Sequence, residues 1–169
     1  MRGILSLAVS GGLLALLCGC AMTGWQSPPV PFVAADAELE LRAPVTFPAG
    51  TTRVFYQDGG TTDARGITVW ERHCALALDH GFDSDVSIPA GRVPVASTQR
   101  RTSIGAASRG VVVYENSFLF AASARPLYAL YCEIWVIGDS LHARHQLDAA
   151  ELARVLGEAA VLHSARPGD

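Results

Sequence analysis

The chain has 169 residues, 50% hydrophobic and 17% charged, with a formal net charge of −3. That balance excludes a broad electrostatic attraction to nucleic acid or to anionic lipid. The length suits about one domain, large enough to bury roughly two-thirds of its unfolded surface in a real core.

The chain opens with Met1-Arg2-Gly3, a short basic segment, followed by an apolar run from Ile4 to Leu17. That run is too short for a membrane-crossing helix, which takes roughly 20 residues. It fits the hydrophobic region of a secretory signal. It ends in Leu17-Cys18-Gly19-Cys20, with a small residue directly before the last Cys. This resembles the lipobox of bacterial lipoproteins, which are cut just before that Cys. The resemblance implies that residues 1–19 are a cleaved signal, that Cys18 is discarded with it, and that Cys20 carries a diacylglycerol and an amide-linked acyl chain such as palmitate. Each buried methylene is worth ~0.8 kcal/mol, so several chains hold a protein on a membrane almost permanently. In Gram-negative lipoproteins an Asp after the Cys favours the inner membrane. Ala21 stands here, which implies the outer membrane and a domain facing the periplasm. The alternative is an ordinary signal peptide with an incidental Cys. No later apolar stretch is long enough to span a bilayer.

Residues 20–37 contain Ser27-Pro28-Pro29 and Pro31 and read as a spacer with little to bury. Residues 38–169 read as a single β-rich domain. Leu39, Leu41 and Val45 begin an apolar alternation that turns at Phe47-Pro48-Ala49-Gly50. Val54-Phe55-Tyr56 follows and ends at Asp58-Gly59-Gly60. Ile67–Leu78 is a long strand candidate with Trp70, Cys74, Leu76 and Leu78 on one face. Asp79–Asp85 is a polar loop. Val86-Ser87-Ile88 enters Pro89-Ala90-Gly91 and leaves through Val93 and Val95. Val111–Tyr114, Phe118–Ala121 and Leu127–Ile137 are further strands, with Asn116-Ser117 a turn or bulge between the first two. In the last of them Tyr128, Leu130, Cys132, Ile134 and Val136 share a face.

The period then changes. Leu152, Val155, Leu156 and Ala159 recur at helical spacing. Asp148 fits the N-cap, Glu151 stands three residues on, and Leu147 and Leu152 occupy staple positions. One amphipathic helix is predicted from about 149 to 162. The fold class is mainly β or α+β, an antiparallel sheet or small barrel closed by one C-terminal helix.

Two segments are alike: Val45-Thr46-Phe47-Pro48-Ala49-Gly50 and Val86-Ser87-Ile88-Pro89-Ala90-Gly91, each with a Val four residues after its Gly. They read either as two copies of one strand–turn–strand unit or as convergent turn chemistry. With Cys18 in the signal and Cys20 committed to lipid, Cys74 and Cys132 remain. Two cysteines in an oxidising compartment usually pair, and both fall on apolar strand faces where they can meet. Two buried, inert thiols are the alternative. There is no C-x-x-C spacing for redox chemistry.

The search for chemistry is sparse. Ala106-Ala107-Ser108-Arg109-Gly110 approximates a nucleophile elbow, but a strand follows where a helix is needed. His142 and His145 are three apart, with only Asp139 as a nearby carboxylate; zinc needs three or four ligands. Asp79, Asp83 and Asp85 line one loop without the fixed spacing of a calcium site. Arg100-Arg101, with Arg92 and Arg109, makes a small basic patch, which reads as exposed Arg at strand ends or, as the alternative, as a contact for an anionic partner such as a lipid headgroup or a glycan phosphate. His73 falls opposite Cys74 in the alternation, a surface or edge position. No catalytic residue, metal site or cofactor is assigned.

The arrangement of Phe47-Pro48-Ala49-Gly50, Arg53-Val54-Phe55-Tyr56-Gln57-Asp58-Gly59, Cys74, Ile88-Pro89-Ala90-Gly91, Cys132 and the closing helix with its Leu156-Gly157 is similar to a group of small proteobacterial envelope lipoproteins. The resemblance spans most of 39–162 and implies a cellular address and a disulfide, with no activity attached. The expected function is a membrane-anchored, non-enzymatic accessory or binding module of the envelope, with an envelope protein partner. The alternative is a small envelope hydrolase or metal-dependent enzyme using His142, His145 or the Asp79–Asp85 loop.

Overall fold

A computed structural model describes residues 37–104, 110–137 and 147–163. In chain order the elements are β1 (Glu38–Leu41), β2 (Val45–Phe47), β3 (Arg53–Gln57), β4 (Gly60–Thr62), β5 (His73–Leu78), β6 (Val86–Ile88), β7 (Gly91–Ile104), β8 (Val111–Phe120), β9 (Leu127–Ile137), helix α1 (Ala149–Leu156) and β10 (Ala160–His163). Eight strands form one antiparallel sheet in the order β10-β1-β7-β8-β9-β5-β3-β4, curled into half a barrel. Sequence alone left open sheet or barrel open; the curl stops short of closure, with β10 and β4 as edges. Among the described residues no helix is long and apolar enough to cross a membrane.

The period-2 pattern explains the core. One sheet face presents Leu39, Val93, Phe118, Leu130, Cys132, Cys74, Leu76 and Tyr56, all buried. Helix α1 lies on that face with Leu152, Val155 and Leu156 buried. Each such side chain contributes about 1.5–3 kcal/mol of hydrophobic stabilisation. The Asp148 carboxylate accepts the Glu151 backbone N–H at 2.7 Å, as an N-cap should. Cys74 and Cys132 stand directly opposite each other on β5 and β9 and are joined by a disulfide.

The two Pro-Ala-Gly segments meet. β2 and β6 pair antiparallel in a separate two-stranded sheet, Val45 opposite Ile88 and Phe47 opposite Val86. The strands around them are exchanged. β1, before the first segment, pairs with β7, after the second; β5, before the second, pairs with β3, after the first. Asp85, just before the second segment, accepts the backbone N–H of Ala49 at 2.9 Å and so ties one turn to the other unit.

Four sequence expectations need correction. Ile67–Leu78 is strand only from His73. Before it, Asp63 Oδ1 accepts the N–H groups of Arg65 and Gly66 and the Gln57 amide clamps Thr68 at both its N–H and its carbonyl. These local side-chain bonds hold the chain in turns, and Trp70 is left 48% exposed rather than on the core face. In β9 the register slips where Ala77 faces Ala129 but Leu78 faces Leu127. The extra residue of this bulge is Tyr128, which is turned out while Leu127 takes the buried place. Asn116 and Ser117 are neither turn nor bulge: β8 runs through them and both are buried. Finally, α1 ends at Leu156, not near 162. Gly157 takes φ +58° and stops the helix, and Ala160–His163 become an edge strand on β1.

Tyr56 carries a cost. It is 1% exposed, beside the disulfide, and its hydroxyl has no hydrogen-bond partner among the described residues; burial pushes its pKa up to about 12. An unpaired buried hydroxyl gives nothing back for its desolvation. Tyr56→Phe is therefore expected to change the urea unfolding free energy by less than about 0.5 kcal/mol or to raise it. A loss above roughly 1 kcal/mol would mean the hydroxyl has a partner.

Candidate functional site

The face of the sheet opposite the core carries a polar recess of about 330 Å³ across β3, β5, β7, β8 and β9. It is built in rows, because directly opposed residues of an antiparallel sheet share a face. One row runs Arg101, Glu115, Glu133, His73 across β7, β8, β9 and β5. The next runs Gln99, Ser117, Tyr131, Ala75 across the same strands. Arg53, Leu119 and the bulged Tyr128 complete the rim. Ala75, buried between larger neighbours, keeps the floor low.

Several polar groups of the recess are partnered within it. His73 is buried, with Nε2 3.2 Å from Glu133 Oε1 and Nδ1 3.1 Å from the Glu71 carbonyl oxygen. Both partners are acceptors, so both contacts are hydrogen bonds when the ring carries both protons. The His73 bond holds the Glu133 carboxyl below its ordinary value of 4.5; partial burial opposes this, and Arg53 adds to the lowering. Ser117 Oγ donates to Glu115 Oε1 at 2.7 Å. The Arg53 guanidinium carbon lies 5.3 Å from the centre of the Tyr131 ring, a cation–π distance. Burial, with Tyr128 beside it, raises the Tyr131 phenol.

A pH dependence follows from Glu133. Its folded pKa is lowered, so it adds stability above the ordinary value of 4.5 and loses it as pH falls through the lowered value. Urea midpoints measured from about pH 6 to about pH 3 should fall less steeply in Glu133→Gln than in the parent. Equal slopes would remove Glu133 from the acid response.

The residues singled out from sequence are scattered. Cys18, Cys20, Ser108, Arg109, Asp139, His142 and His145 lie outside the described residues. Asp85 caps the Ala49 turn, and Asp79 sits 2.6 Å from His80 and 3.9 Å from Arg125. Among the described residues no three His, Cys, Asp or Glu side chains gather as metal ligands. Arg92 bonds Glu38 at 3.2 Å. Arg100 and Arg101 stand inside strand β7, not at a strand end, so they face opposite sides of the sheet: Arg101 enters the recess and Arg100, opposite Asn116, faces the core side. His73 is not at a surface or edge position. β5 lies between β9 and β3, and the Glu133 row covers its ring. Glu115, Ser117, Tyr131 and Glu133 went unnoticed in the sequence. The available signal was period 2: Tyr131, Glu133 and Trp135 alternate with the core residues Leu130 and Cys132.

No protein-family model, curated protein or solved structure matches the chain.

Proposed function

We propose that this protein is a lipid-anchored domain of the bacterial envelope, held at the outer membrane through Cys20 and facing the periplasm, and that it works as a non-enzymatic binding module through the recess on its sheet. The lipobox-like Leu17-Cys18-Gly19-Cys20, in register after an apolar run, supports the anchor. The pairing of charges carries the binding reading. His73 bonds Glu133, and Ser117 bonds Glu115. The His73 imidazole, the kind of side chain that most often serves as base for a serine, is turned to Glu133 and the Glu71 carbonyl and not to Ser117, whose hydroxyl bonds Glu115 in a separate pair. The recess floor is a sheet closed by a disulfide one residue from both His73 and Glu133, so its polar groups are held in place before any ligand arrives.

One observation favours a small hydrolase instead. Glu115 and Glu133 are directly opposed, and paired carboxylates serve acid–base hydrolysis. That chemistry needs one carboxyl held protonated by a raised pKa. Here both carboxylates already accept from donors of the recess itself, Glu133 from His73 and Glu115 from Ser117, so binding is the better reading.

The anchor is tested by expressing the full chain in a Gram-negative host with tritiated palmitate. The parent should take up label and sediment with outer membrane, while Cys20→Ser should stay unlabelled. An unlabelled parent, or a labelled Cys20→Ser, overturns the anchor.

A further inference from the structure

Resting on the binding-module reading, we infer that the recess is a saccharide site, taking a neutral sugar unit of a glycan against the outer face of β5, β8 and β9. Charge comes first. Arg53 and Arg101 are balanced within the recess by Glu115 and Glu133, and His73, buried with both ring nitrogens turned to Glu133 and the Glu71 carbonyl, presents no charge toward a ligand. A site for an anion or a cation leaves an excess of the opposite sign; this one leaves none, which suits an uncharged ligand.

Donors and acceptors come second. Two carboxylates side by side accept hydroxyl protons, and the Arg101 guanidinium and Gln99 amide, one row apart on β7, offer planar pairs of donors. Each pyranose hydroxyl is both donor and acceptor, so one sugar ring can donate to the carboxylates and accept from the guanidinium and the amide. Glu133, held ionised by His73, keeps its role as acceptor.

An aromatic wall comes third. The bulge in β9 leaves Tyr128 47% exposed on the rim of a polar recess, next to Tyr131. An exposed phenol ring is an apolar plate with one wet end, and the C–H face of a sugar ring stacks on such a plate. At about 330 Å³ the recess stands at the small end of ligand pockets, roughly 300–1,000 Å³, sized for a mono- or disaccharide. Its rigid sheet floor spares most of the ordering cost that weakens sugar binding at mobile loops.

The test is a binding titration of the full mature protein in a detergent without sugar groups, using cellobiose, maltotriose and chitotriose as probes. Saturable binding of at least one probe is expected. Tyr128→Ala and Glu115→Gln should each weaken it by about tenfold, with urea midpoints unchanged, so that misfolding is excluded. No binding of any probe by the parent, or affinities untouched in both variants, overturns the saccharide assignment and leaves the anchor and the binding-module reading standing. Release of shorter sugars from a bound probe, lost in Glu115→Gln, keeps the saccharide assignment and overturns the non-enzymatic reading.

Discussion

Reducing the Cys74–Cys132 disulfide is expected to lower the unfolding free energy by about 4 kcal/mol, the chain-entropy value for a bridge across this many residues. The two cysteines are 58 apart in sequence and occupy opposed positions on central strands β5 and β9. The bridge therefore closes a long loop in the unfolded chain. For a domain of this size the loss is on the order of 15 °C in Tm. Urea and thermal unfolding of the parent with and without dithiothreitol measure it. Cys74→Ala/Cys132→Ala should reproduce the reduced midpoint and no longer respond to reductant. A midpoint that does not move on complete reduction would mean that the sheet alone holds β5 to β9.

A comparable loss is expected from one methyl group at the end of α1. Gly157 adopts φ +58° and ψ −136°, a conformation open in practice only to glycine. A Cβ there would lie 2.5 Å from the Cα of Gly59 and 2.6 Å from its carbonyl oxygen. Those are backbone atoms of the Asp58-Gly59 turn between β3 and β4, where both residues have positive φ. The turn is fastened to the helix by the Gly59 N–H on the Val155 carbonyl at 3.0 Å and by Arg154 on Asp58 at 2.6 Å. Nothing can swing aside. Gly157→Ala should cost about 3 kcal/mol or more, the sum of strain and a displaced turn. Gly50→Ala is the control: φ is +74° but no atom lies within 4 Å of the added carbon. It should cost only about 1 kcal/mol. Equal urea midpoints for the two variants would show that the close approach of Gly59 and Gly157 matters little.

The same two glycines show where sequence reading worked and where it stopped. Strand alternation made the β class legible and put Cys74 and Cys132 on apolar strand faces, because a buried face repeats every second residue. The helix start was legible because Asp148 and Glu151 act within one turn. Its end was misjudged because Ala159 keeps the helical period past Gly157; the glycine was a local stop signal that the period overrode, and the turn packed against it lies about a hundred residues earlier. The recess was hidden for a similar reason. Arg101, Glu115, Glu133 and His73 come from four strands and are neighbours only through register. A one-residue bulge decides that Tyr128 joins them. His73 next to a Cys on a strand looks like a surface residue until the strand proves to be central.

The exchanged strand pairing sets an order on synthesis. Among the described strands β1 is the first to be made, yet its two neighbours are β7 and β10. It must wait for residues 91–94, and then for 160–163 at the far end of the described chain. A chain folding as it emerges thus carries an unpaired β1 until residues 91–94 are out and a one-sided β1 until residues 160–163 follow, and a premature stop between them would leave that strand with a bare edge, ready to recruit another molecule.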